Sequence, residues 1–172
     1  MTAASWRSGC LLAALLLAGC AGRPPVTEGP TAERPAWVDR GALDGPGLFG
    51  VAHIEHIAAR DLREATAEAR ARAEVAARVT AAMTTALDAA GLPEDTRDAA
   101  GRVLDDLALG RIEIIARYYT LDGNVQHALA RLRADDLDGQ LADLDDVDPT
   151  VRDALRAAGR AAFAGQPDPA SR

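Results

Sequence analysis

Ile112-Glu113-Ile114-Ile115-Ala116-Arg117-Tyr118-Tyr119-Thr120-Leu121-Asp122-Gly123-Asn124-Val125-Gln126-His127-Ala128-Leu129-Ala130-Arg131-Leu132 is the stretch that decides the fold. β-Branched and aromatic residues run up to Leu121-Asp122-Gly123-Asn124, a hairpin turn with glycine where positive φ is needed. Val125 to Leu132 returns as the partner strand. Strict alternation places Ile112, Ile114, Ala116 and Tyr118 on one face and Glu113, Ile115, Arg117 and Tyr119 on the other.

Towards the N-terminus, the breaker cluster Asp44-Gly45-Pro46-Gly47 introduces a further strand, Leu48 to Ile54. Its Gly50 and Ala52 share a face, and small residues there let a helix come close to the sheet. The helix follows at once, over Ala58 to Ala90. Leu62, Ala65, Ala69, Ala73, Ala76, Val79, Met83 and Leu87 recur at three- and four-residue steps and predict its buried face. Glu68 with Arg72, and Glu74 with Arg78, are i,i+4 pairs on the solvated side. Gly91 stops this helix, and a shorter one runs from Pro93 to Ala108 on Val103, Leu104 and Leu107, ending by Gly110.

Beyond the hairpin, Leu137, Leu141 and Leu144 stand at helical spacing. Asp148-Pro149 then caps and opens a last helix carrying Val151, Leu155, Ala158 and Phe163. Strand, long helix, short helix, hairpin and C-terminal helix make an α+β fold: a small antiparallel sheet with helices packed on one face. The single domain is expected over 35–164, with a disordered tail at 165–172. Trp37, entering after Pro35, is expected to cover one edge of the core.

The N-terminus carries the address. Arg7 is followed by an apolar run, Leu11 to Leu17, and by the small residues Ala18 and Gly19, the pattern of a signal peptide over residues 1–19. That run is too short to cross a bilayer, for which roughly 20 apolar residues are needed. Leu17-Ala18-Gly19-Cys20 resembles the lipobox of bacterial lipoproteins. The resemblance implies that the Cys20 sulfur receives a diacylglycerol, that the signal is cut away, and that the new amino group gains an acyl chain of the palmitate kind. A single chain anchors marginally and two or three anchor firmly. Residues 20–34, rich in proline and lacking apolar periodicity, are expected to be a flexible linker. Its 15 residues span roughly 50 Å at most.

Charge and cysteine content agree with an envelope address. Cleavage before Cys20 removes Arg7, the one charge in the signal, so the net charge falls from −7 to −8. Such a chain is a poor partner for nucleic acid or for anionic lipid surfaces. Cys10 leaves with the signal and Cys20 is consumed by lipid, so the domain has no disulfide.

The lipobox, the short linker, Pro35-x-Trp37-Val38, the strand with Gly50-Val51-Ala52, the helix with Ala65, Ala69, Arg70 and Ala73, and the Asp122-Gly123 hairpin together resemble the Lpp-twenty family of small bacterial membrane lipoproteins. In place of aromatic residues that the resemblance leads one to expect, this chain has Tyr118-Tyr119 rather than tryptophan, and His127-Ala128. The resemblance implies an outer-membrane-anchored α+β domain without an established catalytic centre, and no cofactor is expected. Ala21 after the cysteine implies sorting to the outer membrane, the domain facing the periplasm.

Catalytic chemistry has few candidates. His53-Ile54-Glu55-His56 offers metal-ligand residue types, but His53 and His56 converge only if the stretch is helical, and it fits neither His-Glu-x-x-His nor His-x-x-Glu-His. A strand-end histidine pair is the plainer reading. Asp135, Asp136, Asp138, Asp143, Asp145, Asp146 and Asp148 match no calcium-loop register and read as caps and solvated faces. Ser5, Ser8 and Ser171 fall in the signal or the tail, leaving the domain without a serine nucleophile. The expectation is a non-enzymatic interaction or structural lipoprotein, self-associating or docking on another envelope protein. The alternatives are a small-ligand carrier with a pocket between helix and sheet and, more distantly, a metal hydrolase at His53 and His56.

Overall fold

The structure, a computed structural model, describes residues 26–27 and 33–164. The expected signal, Cys20 and the tail lie outside the described residues. In chain order the elements are β1 (Val26–Thr27), α1 (Ala36–Arg40), β2 (Leu48–Ile54), α2 (Arg60–Ala89), α3 (Glu94–Asp106), β3 (Glu113–Thr120), β4 (Val125–Leu132), α4 (Ala134–Ala142) and α5 (Pro149–Ala164). The fold is α+β. The sheet order is β1-β3-β4-β2. β2, β4 and β3 are antiparallel neighbours, and β1 joins the β3 edge in parallel through Val26↔Arg117 and Thr27↔Tyr118. Val26 and Thr27 fall inside the expected linker, so part of that stretch belongs to the sheet.

Leu48, Gly50, Ala52 and Ile54 present one face of β2 to α2. Gly50 is the point of closest approach: a Cβ built there would lie 2.7 Å from the Ala71 carbonyl oxygen and 2.9 Å from the Val75 nitrogen. Ala128 and Ala130 of β4 are buried on the same face. The buried row of α2 is Ala67, Ala71, Val75, Val79, Met83 and Leu87, each four residues after the last. A four-residue step overshoots a full helical turn by about 40°, so five steps rotate the buried side by about 200°. One helix thereby serves the sheet and α5.

The expected face of this helix is right from Ala76, which packs partly buried on the core, onward, and wrong before it. Ala65, Ala69 and Ala73 are exposed, as is Leu62 at 58%. Buried Arg63 and Glu64 take the inward positions near the helix start.

α5 packs on α2, α3 and α4 through Val151, Leu155 and Ala158. Its N-terminus is capped as expected, with the Asp148 carboxylate accepting from the Thr150 amide at 2.8 Å and the Val151 amide at 3.4 Å. Asp138 on α4 accepts from Arg156 Nε at 3.0 Å and Nη2 at 2.6 Å, and from Arg160 at 3.3 Å. The Arg156 hydrogen bonds hold the Asp138 carboxyl below the usual carboxylate range. Gly159 lets α5 close on Leu141 and Leu137, which a Cβ there would meet at 3.1 and 3.3 Å.

β3 departs from strict alternation. The register slips between Ile114 and Ala116, a bulge at Ile115. Ile112 and Ile114 stay on the α2 face, whereas Ala116 and Tyr118 move to the other, and Arg117 turns inward to α2. The second face carries Trp37, Phe49, Tyr118 and Leu129 as its own apolar cluster. Trp37 sits on α1, a five-residue helix that Gly41 closes at φ 73°. Helices therefore lie on both faces, the four longer ones on one side and α1 on the other.

Gly50→Ala is expected to destabilise the domain by about 1–3 kcal/mol, because the new methyl meets backbone rather than a yielding side chain. Urea unfolding reads this directly. An unchanged midpoint would mean that α2 does not approach the sheet this closely.

Candidate functional site

The hairpin turn sets the register from which the second face is built. Asn124 (φ 56°) and Gly123 (φ 87°) take the left-handed conformations, and pairing runs Thr120↔Val125, Tyr119↔Gln126, Tyr118↔His127. Across β4, His127 pairs with His53 of β2. Three strands thus carry a row His53, His127, Tyr118, with ring centroids 6.2 Å apart for the histidines and 5.8 Å apart for Tyr118 and His127. His53 is exposed and His127 is buried. Arg34 and Asp39, paired at 2.9 Å on the α1 side, complete the polar border of the Trp37 cluster.

Burial dominates the chemistry of His127. Loss of hydration, then the positive Arg34 and the His53 ring, push its pKa from 6.5 down to about 4, against weaker opposition from Asp39 and Glu55. The ring is neutral at physiological pH. It is a packing group beneath a polar rim. Thr120 Oγ1 lies 3.5 Å from its Nε2.

His53 and His56 are not brought together as ligands. His53 is on the strand, while His56 sits in the following turn at φ 63° with its side chain 90% exposed, 3.4 Å from Glu55. The helical condition that a two-histidine site requires is not met here. Among the described residues no group of three or more His, Cys, Asp or Glu side chains could hold a metal ion.

On the α2 face the hairpin is fastened by a buried polar patch. Arg63 Nη1 donates to the Ile57 carbonyl and to Asn124 Oδ1, both at 2.8 Å. Its guanidinium lies 4.8 Å from the Tyr119 ring centroid, and the Tyr119 hydroxyl also reaches Asn124 Oδ1. Arg117, 5% exposed, pairs with Glu68 at 2.7 Å. The i,i+4 spacing places Glu68 on the solvated side with Arg72. Arg72 does lie 3.7 Å from it, but the shorter contact is the inward one that the bulge creates.

An open groove of about 500 Å³ runs between the end of α3 and α4, lined by Val103, Leu107, Leu144, Asp106, Gln140 and Asp143. The α2–sheet interface itself is filled: Ala67, Ala71, Val75, Ala130 and Leu132 have no exposed surface. His127 is the site residue that sequence reasoning missed. Counting back from the turn would have paired it with Tyr118, but its neighbour His53 depends on the β2–β4 register, which no local signal carries.

A neutral His127 in the fold must charge on unfolding at acid pH. Its stabilising contribution is complete above pH 6.5 and is lost as pH falls from 6.5 to about 4. It amounts to at most about 3 kcal/mol. His127→Gln is expected to flatten the stability curve in that window, read by urea midpoints from pH 7 to 4; an unchanged slope would place the titrating group elsewhere. Glu68→Ala strands the buried Arg117 charge and is expected to cost about 3–5 kcal/mol. A loss below 1 kcal/mol would show that water reaches Arg117. Compared with known proteins, the chain matches no family model and no curated protein.

Proposed function

We propose that the chain is a bacterial envelope lipoprotein, held in the outer membrane by acyl chains on Cys20, whose α+β domain faces the periplasm and acts by contact rather than catalysis. The observation that carries this reading is the sequence Leu17-Ala18-Gly19-Cys20, whose cysteine stands six positions before Val26, the first described strand residue. Six extended residues span about 20 Å, far less than the full linker. The lipid therefore tethers the β1–β3 edge close to the leaflet, and the opposite edge, β2, is the side most accessible to a partner. The resemblance to the Lpp-twenty lipoproteins points the same way.

A filled α2–sheet interface favours contact over a carrier that stores a ligand there. The histidine arrangement gives no support to a hydrolase.

Cys20→Ala is expected to move the protein from the membrane to the soluble fraction while its far-UV circular dichroism and urea midpoint stay at wild-type values. A variant that still sediments with membranes, in a carbonate wash, would sink the anchor reading.

A further inference from the structure

Sheet edges attract partners because their outer N–H and C=O groups are unpaired, and most proteins blunt them with proline, lysine, a bulge or a covering element. Here the β3 edge is covered at Arg117 and Tyr118 by Val26–Thr27 of the same chain. The other edge, β2, is a seven-residue strand, Leu-Phe-Gly-Val-Ala-His-Ile, with no proline, no lysine and no register slip against β4. Arg78 Nη1 donates to the Phe49 carbonyl at 2.8 Å from the α2 side, so Phe49 directs its backbone groups away from β4. Alternation sends those of Val51 and His53 the same way. Neither has a backbone partner on that side among the described residues.

We propose that this edge is a self-association surface, two copies pairing β2 antiparallel to β2 about Val51, so that their sheets join into one. The inference rests on the reading that the domain works by contact, and it names a second copy as the partner; it does not depend on the lipid. A two-fold axis at Val51 is self-complementary. Val51 exchanges both hydrogen bonds with its counterpart, and Phe49 faces His53 of the other copy on the aromatic side. The Phe49 oxygen keeps a lone pair for the new strand beside its bond to Arg78.

The helices fit the same axis. α2 lies over β2 and β4. With strands about 4.8 Å apart, two such helices sit roughly 10 Å from each other across the joined edge, a normal helix-packing distance. α2 runs antiparallel to β2, with Gly50 level with Ala71 and Val75 and Ile57 near Arg63. Val51 is therefore level with the turn between Arg70 and Glu74. The axis brings Arg70 of each copy to Glu74 of the other. Both are exposed on the flank from which Arg78 reaches the edge, and Arg70 forms no ion pair among the described residues, whereas Glu74 is bonded to Arg78 at 2.9 Å. That charge pattern is complementary to itself across this axis.

The test uses the full chain with Cys10→Ala and Cys20→Ala, carrying one introduced cysteine. Directly opposed residues of an antiparallel pair have Cα atoms about 5.5 Å apart, within disulfide range. Val51→Cys should give a linked dimer under mild oxidant, while Leu121→Cys, at the exposed hairpin tip, should not. In sedimentation equilibrium of the chain without introduced cysteine, Arg70→Glu or Glu74→Arg alone should weaken dimerisation at least tenfold, and the double reversal should restore it. A monomer at tens of micromolar with a wild-type urea midpoint overturns the proposal. So does a dimer whose Val51→Cys links no better than Leu121→Cys, or one indifferent to the charge reversals, because association then uses another surface. Because these chains lack Cys20, either result leaves the anchor reading to its own fractionation test.

Discussion

Gly50 lies directly against the backbone of α2 at Ala71 and Val75, and the rest of the domain is arranged around that approach. A helix this close to a sheet leaves space for little beyond hydrogen and methyl between them. The facing residues are accordingly Gly50, Ala52, Ala128 and Ala130 on the strands and Ala67 and Ala71 on the helix. Val75 fits against the sheet because Gly50 carries no side chain, and Val79, Met83 and Leu87 enter where α2 has rotated towards α5. This explains how a chain with 3% aromatic residues builds a dry core: it gains dispersion contacts through proximity rather than through bulk.

Three of the aromatic side chains are displaced to the other face, while Phe163 packs on the helical core and Tyr119 lies against Arg63. Trp37, Phe49 and Tyr118 gather there under a single short helix. The bulge at Ile115 makes both faces possible at once. It holds Ile112 and Ile114 under the helices, carries Tyr118 out to Trp37, and turns Arg117 in to Glu68. Without the slip, Tyr118 would face the glycine and alanine surface, where it does not fit, and Arg117 would lose its carboxylate. A buried ion pair is a weak source of net stability, but it fixes which residues point inward. Together with Arg63 holding Asn124, it pins the hairpin to the start of α2.

Turn chemistry made the hairpin legible in the sequence, since Gly123-Asn124 takes positive φ and sets the pairing of every residue back to Ala116. Caps were legible for the same local reason: Asp148 and Gly91 perform the roles their residue types suggest. The first half of α2 was not. Alanine stands on its buried and its exposed sides alike, so periodicity carries no phase until valine, methionine and leucine appear. The bulge was hidden because Ile114, Ile115 and Ala116 are apolar in succession, and either alternation reads equally well. The His53–His127 pair joins strands more than 70 positions apart, and only the assembled sheet defines it. The short α1 was hidden by a five-residue length that no helical period can reveal.

Two edges bound the sheet among the described residues, one covered in part by Val26–Thr27 and the other left open at β2. On the proposed reading, the domain works through that open side. Residue-resolved amide hydrogen exchange of the membrane-bound chain tests this most directly, by comparing Val51 and His53, whose amides point outward, with Gly50 and Ala52, whose amides point to β4. The account predicts that all four exchange slowly and to a similar degree. Outward amides that exchange like those of the hairpin turn, beside protected inward ones, would show an edge left open to water and would contradict it.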